Sequence, residues 1–158
     1  MSMYIIPYTS EDEYRNNVDK VLSLLTENVE KRKIILTEGE FSYDHYRHDV
    51  IEYAKKYELK HKYHLTIRDN ILPDEYRTED RIKNNAWYQV EYIVCIGTWS
   101  SAIVAYDFYY QHPNITIIYI QNSLLPDVYK RDRFEDLTLF NTPIDCMVHS
   151  LSSQFQKQ

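Results

Sequence analysis

The sequence predicts a three-layer α/β domain, in which a mostly parallel five-stranded sheet carries helices on both faces. Three observations predict it. Short apolar runs alternate with amphipathic segments along the chain, the order that strand–helix–strand units produce. The amphipathic segments carry helix start and stop signals. The only two glycines, Gly39 and Gly97, each close an apolar run just before a helical one.

The elements follow in order. MYIIPY (3–8) reads as the first strand. Ser10 and Glu13 in SEDE form a capping box. Tyr14, Val18, Val21, Leu22, Leu25 and Val29 then recur at helical spacing and make one apolar stripe. KIILT (33–37) is the second strand. Ser42 or Asp44 caps the next helix, whose Tyr46, Val50, Ala54 and Tyr57 share a face. KYHLTI (62–67) alternates as a third strand, and a loop through Pro73 leads to a helix over roughly 77–89 with Ile82, Ala86 and Gln89. EYIVCI (91–96) is the fourth strand, residues 100–112 a helix stopped by Pro113, and NITIIYI (114–120) the fifth strand. Thr142 and Pro143 read as the N-cap and first residue of a last helix, with Ile144, Val148, Leu151 and Phe155 on one side. This is a Rossmann-like plan: one domain over 1–158, with its core in 3–120 and a helical extension in 121–158.

In open parallel sheets, ligands bind outside the carboxyl ends of the strands, near the point where the strand order reverses. Both glycines fall at that rim. Glycine there permits positive φ and close approach of a ligand to the backbone, and a helix N-terminus beside it offers unpaired N–H groups to an anion.

Composition narrows the partners. Apolar residues at 44% and aromatics at 15% put the chain well inside the folded range. A net charge of −6, with both signs interspersed, excludes a duplex nucleic-acid footprint, which needs clustered Lys and Arg. Sixteen tyrosines favour half-buried rims and subunit contacts, so a homo-oligomer is expected. Cys95 and Cys146 are too few for a disulfide framework, and Cys95 reads as a buried thiol. No secretory segment opens the chain and no run is long enough to span a bilayer. The expectation is a cytoplasmic protein with no membrane partner, in the host cytoplasm if the gene is viral.

Four constellations bear on chemistry. In Gly97-Thr98-Trp99-Ser100-Ser101, a helix N-terminus and three hydroxyls suit a phosphate or ribose, with Trp99 flanking a base. The alternative is an N-cap at Ser100 and rim packing by Trp99. In Thr37-Glu38-Gly39-Glu40-Phe41-Ser42, two glutamates repel phosphate and suit a ribose diol or a cation; the alternative is a tight turn with solvated acids. His45 and His48 are helical neighbours flanked by Asp44 and Asp49, but no third metal ligand is evident, so a solvated face is expected and no metal. His64-Leu65-Thr66 lacks a second copy, because His149-Ser150-Leu151 has no hydroxyl at its third place. No Ser-His-Asp or Cys-His arrangement can be assembled from spacing.

The order of these segments resembles the SLOG superfamily of Rossmann-like nucleotide-binding proteins, in particular its small YspA-like branch. The likeness covers about residues 3–120. MYIIPYTSEDEYRNNVDKVLSLL matches the opening strand, polar turn and long helix. IILTEGEFSYDHYRHDVIEYAKKYEL matches the strand running into a GGARGAD-type loop and an EYAK helix, with Gly39, Asp44, Ala54 and Lys55 in place. IKNNAWYQVEYIVCIGTWSSAIVAY matches an IRN-type helix start and a strand ending at a GT pair, through Lys83, Asn84, Gly97 and Thr98. The resemblance implies nucleotide binding in a cleft. Glu38 replaces the first family glycine, Phe41 the loop arginine and Ser42 the third glycine, while the acid after the GT turn falls on Ile103. Relatives that hydrolyse nucleotide N-glycosidic bonds use an arginine and a glutamate in such loops, so a degenerate, non-catalytic member is expected.

The expected function is thus a binder or sensor of a nucleotide-like small molecule, needing no cofactor. Its ligand-binding candidates are Tyr8, Thr9, Gly39, Ser42, Arg47, Lys83, Asn84, Gly97, Thr98, Trp99, Ser100 and Ser101, with Arg81 a further source of positive charge. A second expectation is a small accessory or phage protein that binds a protein partner through an acidic, Tyr-rich surface. A third is a nucleotide N-glycosidase or deoxyribosyltransferase-like enzyme with Glu38 or Glu40 as its acid, base or nucleophile.

Overall fold

A computed structural model of the chain describes residues 3–39, 47–65, 90–123 and 137–157, with the backbone alone at 47, 48, 62–65 and 100. The expected helix over 77–89 and the caps at Ser42 or Asp44 lie outside the described residues.

Five strands, β1 (Met3–Ile6), β2 (Ile34–Gly39), β3 (Lys60–Leu65), β4 (Tyr92–Thr98) and β5 (Thr116–Ser123), form one sheet in the order β1-β5-β4-β2-β3. Every pairing is parallel. Four described α-helices accompany them: α1 (Glu11–Asn28), α2 (Arg47–Tyr57), α3 (Ala102–Gln111) and α4 (Ile144–Gln156). Leaving β1 aside, 3-2-4-5 repeats the opening of the doubly wound order 2-1-3-4-5, and the N-terminal strand occupies the fifth place. The reversal of strand order therefore falls between β2 and β4.

The direction of each crossover explains the layers. The chain moves one way across the sheet from β1 to β2 and from β2 to β3, and the other way from β4 to β5. Crossovers of one hand then put α1 and α2 on one face and α3 on the other. Tyr14, Val18, Val21, Leu22 and Leu25 of α1 pack with Val50, Tyr53 and Ala54 of α2, and with Met147 and Leu151 of α4, over Leu36, Val94, Ile96, Ile118 and Ile120. On the opposite face Ala102, Ile103, Val104, Ala105 and Phe108 of α3 cover Ile35, Ile93, Cys95, Ile117 and Tyr119. Both faces are covered, so the central strands read as unbroken apolar runs.

The helix ends follow local chemistry. The Ser10 hydroxyl accepts from the Glu13 N–H at 3.2 Å and starts α1. Val29 is the C-cap, beyond the stripe that the sequence assigned it to. Glu58, at φ 57°, ends α2 in the left-handed region, with the Leu59 N–H donating to the Ala54 carbonyl at 2.9 Å. Pro143, not Thr142, occupies the N-cap of α4; the Thr142 hydroxyl donates instead to the Phe140 carbonyl at 2.8 Å.

That last segment has a second task. The Ile5 N–H donates to Phe140 at 2.9 Å, and the Ile5 carbonyl accepts from Thr142 at 2.8 Å. The free edge of β1 is thereby paired rather than left open to another chain. With α4 in the same core as α1, residues 137–157 are built into the domain.

Candidate binding site at the reversal of strand order

Strands β2, β4 and β5 all run further than the sequence suggested, taking in Glu38, Gly39, Gly97, Thr98 and Gln121 to Ser123. Glu38 pairs with Ile96 across the β2/β4 ladder, so Gly39 and Gly97 follow side by side at the carboxyl ends of adjacent parallel strands. The sequence placed both glycines at this rim, and the structure brings them together there.

Their conformation differs from the expectation. Neither glycine has positive φ. A Cβ on Gly97 would collide with the Tyr119 hydroxyl and lie 2.8 Å from Ser101 Oγ; one on Gly39 would collide with Ser101 Oγ and lie 3.0 Å from the Tyr119 hydroxyl. Tyr119, two residues before the residue opposite Gly97, leans along β5 and lays its hydroxyl over both. The close approach that requires glycine is made by the protein's own side chains.

The turn after β4 is built around the same pair. Trp99–Ser101 is a 3-10 turn, and α3 starts only at Ala102, with no side-chain cap. The Ser101 hydroxyl bonds the Tyr119 hydroxyl and donates to the Thr98 carbonyl at 3.0 Å. Burial pushes the Tyr119 phenol well above its ordinary value, and Cys95 beneath it adds to the shift. Burial likewise raises the Cys95 thiol, with the Glu38 carboxylate second. Both groups stay neutral at physiological pH.

Polar groups collect along this edge. Glu38 and Thr98 are 0% exposed and Asn122 is 1% exposed. The β4/β5 register shifts between Gly97 and Thr98, whose partners are Gln121 and Ser123, so Asn122 is the extra residue of a bulge. A second shift, between Thr37 and Gly39, lies on the β2/β3 ladder at the same end. Among the described residues, Thr98 Oγ1 and Asn122 Nδ2 have no hydrogen-bond partner, and neither does Oδ1 of Asn17, buried on α1 between Tyr14 and Val21. A buried polar atom left unmatched costs about 1–3 kcal/mol.

The starts of α1 and α2 are tied together beside this edge. The Tyr14 hydroxyl donates to Asp49 Oδ2 at 3.0 Å, and Arg15 donates to Oδ1 at 2.9 Å while also pairing with Glu11 at 3.0 Å. Burial holds the Tyr14 phenol far above its ordinary range, with Asp49 second.

The other candidates are distributed as follows. The Tyr8 N–H donates to Gln121 Oε1 at 3.0 Å, and Thr9 is exposed. Trp99 is buried in the core beneath α3 rather than open to a base. Arg47 opens α2 and Ser100 lies in the 3-10 turn, each with backbone alone described. Glu40, Ser42, Arg81, Lys83 and Asn84 lie outside the described residues, as do Asp44 and His45. Asn17, Tyr119 and Asn122 escaped the sequence reading. A lone asparagine on an otherwise apolar helix stripe was the one signal available.

Among the described residues, no group of three or more His, Cys, Asp or Glu is placed to hold a metal ion. No described helix is long and apolar enough to cross a membrane. No family model, curated protein or solved structure matches the chain.

Proposed function

We propose that the chain binds a nucleotide-like small molecule at the β2/β4 reversal point, as a binder or sensor and not as a catalyst. One observation carries the reading. Thr98 and Asn122, at the carboxyl ends of β4 and β5, hold buried polar atoms with no hydrogen-bond partner among the described residues, at the end of the sheet where this strand order binds ligands. The SLOG-like order of the segments given above supports the same reading. Calorimetry of the full chain against nucleosides, nucleotides, cyclic nucleotides and ADP-ribose compounds tests it. Binding of one of them is expected, and silence of the folded protein across the panel overturns the reading.

A second reading is favoured by a separate observation. Tyr110 is 75% exposed and Leu139 is 81% exposed. Tyr106 stacks on Tyr110 at 6.5 Å and meets Phe140 at 5.5 Å. An exposed aromatic patch of this kind suits a protein contact, here with a second copy of the chain. Static light scattering checks it: a dimer that Tyr110→Ser with Leu139→Ser dissolves supports the contact, and a monomer at every concentration contradicts it.

A further inference from the structure

The outer edge of β1 is held by a strap that passes from one face of the sheet to the other. Leu137 is buried in the core under α3, and Phe140 packs on Tyr106 and Tyr109 of that helix. The chain then crosses the edge. There Asn141 makes a parallel bridge with Ile5, whose N–H and carbonyl bond Phe140 and Thr142. On the far side, Met147 and Leu151 of α4 are buried in the core that α1 covers, and the Ser150 hydroxyl bonds that of Tyr4 at 3.0 Å.

β1 and the strap complete each other. All four residues of β1 are buried, Met3 and Ile5 in the α3 core and Tyr4 and Ile6 in the α1 core. β5 pairs with β1 along one side, and so short a strand is marginal without further cover. The strap closes its other side and shares both of its cores. In return, among the described residues, every backbone hydrogen bond from the strap to the sheet goes to Ile5. β2 and β4 differ, because each is paired on both sides along most of its length.

We infer that β1 and residues 137–157 form one clasp, which opens and closes as a unit while β2, β4 and β5 stay paired. Opening leaves the outer edge of β5 unpaired. It also releases Tyr8, whose N–H donates to Gln121 Oε1 at 3.0 Å, next to the bulged Asn122. The clasp therefore reaches the carboxyl edge of the sheet, and it stands whether or not a nucleotide-like molecule binds there.

Amide hydrogen exchange of the full chain, followed residue by residue in urea below the unfolding transition, tests the clasp. The amides of Ile5, Ile6, Thr142 and Leu151 are expected to share one opening equilibrium, and to exchange at least about tenfold faster than those of Leu36 and Val94. Two variants separate the unit from its surroundings. Val50→Ala, in α2, is expected to speed Leu36 and Val94 by about tenfold and to leave the clasp amides unchanged, because α2 is still folded in the open form. Leu151→Ala, in the clasp, is expected to speed all of these amides by one common factor. Ala54→Gly and Val148→Ala take their places should either variant fail to fold. Ile5 and Ile6 exchanging with the slow strands while Leu151 opens alone overturns the inference, because α4 is then a helix that frays by itself. A single opening equilibrium for every amide, with all of them sped by Val50→Ala, overturns it as well, because the domain then opens only as a whole.

Discussion

The Tyr119 hydroxyl lies where the Cβ of any residue other than glycine at position 97 would have to be. The same hydroxyl bonds Ser101, whose Oγ blocks the Cβ position of Gly39. Two scarce glycines and two hydroxyl side chains thus form one packing unit across β2, β4, β5 and the turn before α3.

The unit predicts a specific coupling. Gly97→Ala overpacks the site and is expected to destabilise the fold by about 1–3 kcal/mol. Tyr119→Phe removes the colliding oxygen and is expected to cost about 1 kcal/mol alone, for the lost hydrogen bond. In the double variant the Gly97→Ala cost is expected to shrink by about 1 kcal/mol, the coupling typical of residues in contact. Urea denaturation of the four proteins measures it, and additive costs would contradict the packing account.

The sheet and the rim were legible in the sequence because they rest on local signals. The Ser10 cap, the stripe from Tyr14 to Leu25 and the apolar run before Gly97 each declare an element without help from elsewhere. What makes glycine necessary was not legible. Tyr119 follows Gly97 by 22 residues, and only the β4/β5 register brings them together. Without that contact, both glycines resemble turn residues, and the strands read as stopping short of them. The place of β1 was hidden for the same reason. Nothing local in Met3–Ile6 specifies pairing with β5, or an outer edge closed by Phe140 and Thr142.

The thiols are expected to behave unequally. Cys95 is buried and its thiol is held neutral, whereas Cys146 is exposed on α4. A thiol reagent is expected to modify Cys146 alone in the native protein and both cysteines in denaturant. Rapid native modification of Cys95 would mean that the centre of the sheet opens readily.

Acid stability depends in part on Asp19. Burial opposes its ionisation, but hydrogen bonds from Lys56 at 2.8 Å and from Tyr57 at 2.6 Å win and hold its carboxyl below the ordinary value. A depressed carboxyl contributes stability in full above its unfolded value of about 3.9, and that contribution is lost as pH falls through the lower folded value. Asp19→Asn is therefore expected to flatten the loss of melting temperature in acid, on top of a small destabilisation at neutral pH. An unchanged acid slope would show that the α1–α2 contact carries no such linkage.

The most direct test of the account observes the unmatched atoms themselves. In a nitrogen–proton correlation spectrum, the side-chain amide of Asn122 reports on Nδ2, which is buried and has no hydrogen-bond partner among the described residues. Titration with the compound that calorimetry selects is expected to move the Asn122 side-chain pair at least as far as the backbone amides of Gly39 and Gly97. Shifts confined to the two glycine amides, or to residues remote from the ends of β2, β4 and β5, would contradict it.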